Sequence, residues 1–132
     1  MNDRLVYLDT SAFVKLVQPE AETRALVAHL RHWSVAVSAT LLRTEALRAA
    51  VRHSPELVRD TRLALRDVAF IELSRDLMDQ AGTLTLPNLR SLDAVHLAAV
   101  LSLGDDLDEV VTYDLRMVAA ASACGLLVSS PA

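Results

Sequence analysis

Four carboxylates, Asp9, Glu45, Asp93 and Asp114, carry the chemistry that this sequence offers most directly. Asp9 ends the apolar run Leu5-Val6-Tyr7-Leu8 and precedes Thr10-Ser11-Ala12-Phe13, while Asp114 follows Val110-Val111-Thr112 and opens Leu115-Arg116-Met117-Val118-Ala119. Both read as strand, acid, helix. In open parallel sheets the ligand crevice lies beyond the carboxyl ends of the strands, so these two acids are expected on one edge of the fold. Asp93 adds a third acid at a helix start, in Arg90-Ser91-Leu92-Asp93-Ala94-Val95-His96. Carboxylates gathered together repel one another unless a cation sits among them, and a hard divalent ion such as Mg²⁺ is the usual partner.

Each acid also has an ordinary role to set against the chemical one. Asp9 is a good helix cap, but Thr10 and Ser11 can serve as caps without it, so a functional role is favoured. Asp114 is the only good cap for its helix, which leaves the two readings level. Asp93 suits the positive end of a helix dipole. The helix around it is apolar on nearly every side, so Asp93 is expected to be buried, where a carboxylate needs a partner. Glu45 has the weakest independent case, because an exposed pairing with Arg48 and Arg52 on the same helix would account for it. His96 follows Asp93 by one helical turn and is read as a packed or supporting donor, not as a ligand. Arg43, Arg90 and Arg116 flank three of the acids and are candidates for phosphate contacts, although arginine is abundant throughout the chain.

The elements that must position these groups follow from pattern and composition. The chain has 132 residues, 52% hydrophobic and only 4% aromatic, which suits one domain (1–132) with an aliphatic core. Its formal net charge of −4 argues against a protein that coats nucleic acid through general phosphate contacts. The single cysteine, Cys124, allows no internal disulfide and is expected to be a small core residue. No apolar run reaches the length of a membrane span and Met1-Asn2-Asp3-Arg4 does not resemble a signal peptide, so a cytoplasmic protein is expected.

Strands are predicted at about 4–8, 35–38, 70–73, 110–112 and 126–129. Helices are predicted over about 11–17, 20–33, 40–53, 55–68, from Ser74 or Asp76 to Gly82, 91–103 and 115–123. Ser54 and Ser91 are read as N-caps, and Gly104 and Gly125 as stops. The stretch Gly104-Asp105-Asp106-Leu107-Asp108-Glu109 lacks the ligand alternation of a calcium loop and is read as an acidic turn. Strands alternating with helices predict an α/β fold with a central parallel sheet flanked by helices on both faces.

Four blocks then carry a resemblance: Leu5-Val6-Tyr7-Leu8-Asp9-Thr10-Ser11-Ala12, an acid-bearing helix near residue 45, Leu92-Asp93-Ala94-Val95-His96-Leu97-Ala98, and Val111-Thr112-Tyr113-Asp114. In this order and spacing they resemble the signature of PIN-domain nucleases, and the length resembles the VapC-type toxins of bacterial toxin–antitoxin pairs. The resemblance implies a cleft of acids holding Mg²⁺ or Mn²⁺ and hydrolysis of RNA phosphodiester bonds. Asp9, Glu45, Asp93 and Asp114 match the acidic quartet, with Asp9, Asp93 and Asp114 as expected direct metal ligands and Glu45 expected to bind the metal through water or to orient the nucleophile. Ser11 and Thr112 match the small hydroxyl residues beside the first and last acids, and Arg90 and Arg116 are candidate substrate contacts.

Attack by water implies 5′-phosphate and 3′-hydroxyl products. The resemblance further implies an antitoxin partner and a homodimer, with Phe13, Leu16, Val17, Leu26, Leu30 and Trp33 divided between those contacts and the core. Two alternatives stand beside this reading: a PIN domain that processes RNA outside a toxin pair, and a silent binding module whose acids only cap helices.

Overall fold

Three of the four side chains in β1 (Leu5–Leu8) are fully buried, as befits a central strand covered on both faces. The computed structural model describes residues 4–132, so the reading made on Met1 to Asp3 lies outside the described residues. Strand β1 pairs in parallel with β2 (Val35–Ala39) on one side and β4 (Leu107–Val111) on the other. The edges are β3 (Ala69–Ile71) and β5 (Val128–Ser129), giving the order β3-β2-β1-β4-β5. The chain builds outward from β1 to β3 and then returns to place β4 on the opposite side. That reversal opens a crevice between the carboxyl ends of β1 and β4.

Among the described residues seven α-helices surround the sheet: α1 (Thr10–Val17), α2 (Thr23–Leu30), α3 (Leu41–Val51), α4 (Pro55–Leu65), α5 (Arg75–Gly82), α6 (Ser91–Ser102) and α7 (Leu115–Ala123). The period of two along β1 sends Val6 and Leu8 against Ala12 of α1 and Leu26 of α2, and sends Tyr7 against Ala99 and Val100 of α6. Helices α3 and α4 extend the first face through Phe13, Leu42, Ala46 and Leu65. On the second face, α7 packs Met117 and Ala121 against Leu97 of α6. Helix α6 is buried without interruption from Ala94 to Val100, which explains its lack of amphipathic patterning.

The predicted architecture is the one observed, and the differences lie at element ends. Helix α2 starts at Thr23, not Glu20, because the Thr23 hydroxyl bonds the Lys15 carbonyl and the Glu20 amide, while Lys15 Nζ holds Glu20 and Glu22 at 2.8 and 3.0 Å. Ser54 and Ser74 do cap α4 and α5. Ser91 does not cap α6: it is the first helical residue, and Arg90 holds the cap position without a side-chain bond. The acidic turn is shorter than expected, since Leu107, Asp108 and Glu109 belong to β4 and only Gly104–Asp106 forms a 3₁₀ turn. The last strand is only Val128–Ser129. Gly104 and Gly125 end their helices at φ +54° and +79°, as left-handed stops.

Cys124 overturns its expectation, because it is exposed at the end of α7. The apolar residues around it in sequence belong to a helix whose buried side is taken by Met117, Ala120 and Ala121. Of the residues divided between partners and core, Phe13 and Leu26 are fully buried and belong to the core. Cys124 is therefore expected to react stoichiometrically with a thiol reagent in the folded protein, without denaturant, at a rate close to that of the unfolded chain. Protection until unfolding would contradict this placement.

Candidate active site

Asp9 lies directly beyond β1, 5% exposed, with its backbone extended and its side chain capping α1. An ionised carboxylate in that position needs donors, and it has three. Oδ1 accepts from the Ser11 hydroxyl at 2.6 Å and the Ala12 amide at 3.2 Å, while Oδ2 accepts from the Thr112 hydroxyl at 2.5 Å. Burial pushes the Asp9 carboxyl above its usual range, and the Ser11 and Thr112 hydroxyls pull it part of the way back. The capping role and the site role thus coexist in one side chain.

The two hydroxyls do more than solvate Asp9. Ser11 Oγ also accepts from the Tyr113 amide at 2.9 Å, and Thr112 Oγ1 accepts from the Asp114 amide at 3.1 Å. They tie the start of α1 to the residues leaving β4 and so set Asp114 opposite Asp9. Asp114 caps α7 through Oδ1, which accepts from the Arg116 amide at 2.9 Å.

Asp93 arrives on α6 and is half-buried, not fully buried as expected from its apolar surroundings. The helix is sealed from Ala94 onward, but Leu92 is 52% exposed, so Asp93 stands where the crevice opens. Its carboxyl is held above the usual range by burial first, then by the negative charge of Asp114, and then by that of Asp9. Three carboxylates from β1, α6 and the end of β4 therefore share one electrostatic neighbourhood. A group with a raised folded-state value gives stability that is present below the unfolded value and lost as pH rises through the folded one. Ionising Asp93 at neutral pH thus works against folding unless a cation is present.

Glu45 reverses the sequence expectation most clearly. It does not pair with Arg48 or Arg52. Its Oε1 meets His96 Nε2 at 2.7 Å and accepts from the Thr10 hydroxyl at 2.5 Å. Burial pushes this carboxyl up, but the bonds from His96 and Thr10 outweigh it and hold the group below its usual range. His96, set aside in the sequence as a packed residue, is indeed 3% exposed, and it also touches one of the four acids. Its position one turn after Asp93 was the only signal in the sequence.

Arg43, Arg90 and Arg116 are exposed, and among the described residues none pairs with an acid. Arg43 instead lies over the Phe70 ring, 5.2 Å from its centroid. Among the described residues no group of three or more His, Cys, Asp or Glu side chains is gathered tightly enough to form a ready metal cage. Mg²⁺ does not require one, because it commonly keeps its waters and binds through one or two carboxylates plus phosphate oxygens. Replacing Thr112 by Val keeps the shape but removes one donor from the buried Asp9, and should cost about 1–3 kcal/mol in a urea unfolding experiment. A change below about 0.5 kcal/mol would mean that Asp9 is solvated by other means.

Comparison with known proteins bears on the family and the fold. The PIN domain family profile matches residues 6–123. The chain is 40% identical to Ribonuclease VapC46 of Mycobacterium tuberculosis over 126 residues, covering 96% of this chain and 97% of that one. It is 34% identical to Ribonuclease VapC47 of the same species over 136 residues, with the same two coverages of 96% and 97%. Among solved structures, M. tuberculosis VapC20, a sarcin–ricin loop cleaving toxin, superposes with a TM-score of 0.72 at 16% identity, covering 92% of this chain and 96% of that one. A toxin–antitoxin complex from Klebsiella pneumoniae gives 0.71 at 21% identity, covering 96% and 98%. At those identities the structural likeness bears on the fold alone. By its sequence relatives and its family profile together, the chain belongs to the PIN-domain family, among the VapC proteins.

Proposed function

We propose that this protein is a divalent-metal-dependent endoribonuclease that hydrolyses RNA phosphodiester bonds as the toxin of a toxin–antitoxin pair. The observation that carries the reading is the gathering of Asp9, Asp93 and Asp114 around the crevice, where the charges of Asp114 and Asp9 add to burial in holding the Asp93 carboxyl above its usual range. A cluster that repels itself is a poor way to stabilise a fold and a good way to hold a cation. The relatives named ribonucleases supply the substrate class, and the solved toxin–antitoxin complexes supply the biological setting.

Asp9, Asp93 and Asp114 are the residues that would hold Mg²⁺, or Mn²⁺ in its place. A bound divalent cation supplies charge neutralisation at the scissile phosphate and a more acidic water. The chain's own residues do the rest. Ser11 and Thr112 fix the direction of the Asp9 oxygens. Glu45 has Oε1 occupied by His96 and Thr10, so its other oxygen is the one left to orient an attacking water. Arg90 and Arg116, exposed at the starts of α6 and α7, would meet RNA phosphates. Val27, Val51 and Leu63, exposed on α2, α3 and α4, give apolar surface to an antitoxin and to a second copy of the chain.

The direct test is cleavage of total RNA by the wild type and by Asp93→Asn, each with Mg²⁺, with Mn²⁺ and with EDTA. Metal-dependent cuts are expected from the wild type, with 5′-phosphate and 3′-hydroxyl ends, and at least about 100-fold less from the variant. Products ending in 2′,3′-cyclic phosphate would remove the hydrolytic scheme. Activity in EDTA would remove the metal, and folded protein that cuts nothing would favour the silent binding module.

Thermal melting separates the metal from the chemistry. Without metal at neutral pH, Asp93→Asn should melt above the wild type, by roughly 0.5 kcal/mol once solvent screening of these partly exposed groups is allowed for. The gap should close as pH is lowered into the carboxylate range. Saturating Mg²⁺ should stabilise the wild type by about 2–3 kcal/mol at 100 times its dissociation constant, and the variant far less. An equal metal response in both proteins would contradict the assignment.

A further inference from the structure

Behind the acids runs a chain of polar side chains, Thr10, Glu45, His96 and Tyr7, whose buried members Tyr7 and His96 have no part in the scheme above. Tyr7 is fully buried on β1, two residues before Asp9, and its hydroxyl lies 2.7 Å from His96 Nδ1. The two rings meet edge to face at 5.9 Å and 83°. His96 stands on α6, three residues after Asp93, and its Nε2 meets Glu45 Oε1 on α3 at 2.7 Å. Thr10, next to Asp9, closes the set on the same Glu45 oxygen, 3.4 Å from His96 Nε2. An ionised carboxylate only accepts, so Nε2 carries the proton in this contact whatever the charge on the ring. Nδ1 is then the atom that Tyr7 anchors.

The connectivity gives this chain its meaning. Every link joins an element that carries one of the site acids: β1 leads into Asp9, α6 holds Asp93 and α3 holds Glu45. Tyr7 satisfies Nδ1 alone, so the buried Nε2–H needs an acceptor of its own, and the one that meets it is the carboxylate of Glu45. We infer that His96, anchored by the Tyr7 hydroxyl, is a positioning residue of the nuclease, holding Glu45 through Nε2–H in register with Asp9 and Asp93. This inference rests on the function proposed above and extends it by two residues. Neither Tyr7 nor His96 is expected to touch RNA.

The test combines kinetics with a spectroscopic readout on the metal-free protein. His96→Leu should lower kcat for RNA cleavage by about 10–100-fold while KM stays within about twofold, since orientation and not substrate affinity is lost. His96→Gln, whose amide can reach Glu45 as a donor, should recover most of that loss. Tyr7→Phe removes a single oxygen and should fall between the wild type and His96→Leu, and it remains informative if His96→Leu fails to fold. Ring ¹⁵N spectra of the metal-free wild type should show the His96 proton on Nε2, hydrogen-bonded and slow to exchange.

The inference is overturned if Tyr7→Phe and His96→Leu, melting normally, keep the wild-type kcat, or if Gln does no better than Leu. It is equally overturned if Nε2 carries no proton. Wild-type protein that cuts no RNA with either metal, yet shows the Nε2 proton, would instead count against the nuclease reading.

Discussion

A carboxylate that is 5% exposed at the junction of two parallel strands would destabilise the fold by several kcal/mol if left uncompensated, and most of the surrounding structure can be understood as its compensation. Asp9 lies where β1 ends, beside the strand that the chain reaches only after returning across the sheet. The hydroxyls that satisfy it come from both sides of that junction, Ser11 from α1 and Thr112 from the end of β4. Because the same two hydroxyls accept the Tyr113 and Asp114 amides, solvating Asp9 also fixes where the chain turns out of β4. One buried charge therefore sets the entry of α1, the exit of β4 and the place of Asp114. The tail continues the same bracing, with Ser130 and Pro131 bonded to Thr112 and Tyr113.

Three of the four acids, Asp9, Asp93 and Glu45, divide into two kinds by environment. Asp9 and Asp93 are pushed up by burial, and Asp93 also by neighbouring negative charge, so each is held at a cost to stability. Glu45 is pulled down by His96 and Thr10 and repays part of that cost. This division suits distinct roles: repelling acids create a demand for a cation, while a well-bonded acid keeps its direction whether or not the cation is present. It also explains how the fold tolerates the cluster, since the repulsion is confined to the crevice mouth, where Asp93 and Asp114 keep contact with solvent. The core between the sheet and its helices is almost wholly apolar.

The second face depends on α6. It is buried from Ala94 to Val100 and carries Asp93 at one end of that stretch and His96 within it. A helix this enclosed cannot rotate or slide without voiding contacts to Tyr7, Leu77 and Met117 on three neighbours. Core packing thereby becomes the device that places a carboxylate, and the Tyr7–His96 contact is where packing and polar chemistry meet.

Much of this was legible in the chain itself, because the features concerned are local. Alternation and apolar runs reveal β1, β2 and the crossover helices, glycines at positive φ mark two helix ends, and an acid directly after a strand reports its own position on the sheet edge. For the same reason Asp9, Asp93 and Asp114 could be nominated, and the strand–helix alternation predicted the parallel sheet. What only the tertiary structure decided was the partner of each polar group. Glu45 could pair along its own helix or turn inward, and both options have the same local energy scale. The choice was made by His96, 51 residues away in sequence. Cys124 and Asp93 differ from expectation for one reason: the apolar residues around them report the burial of a helix, but how far that burial extends toward the helix end is set by the neighbours it packs against.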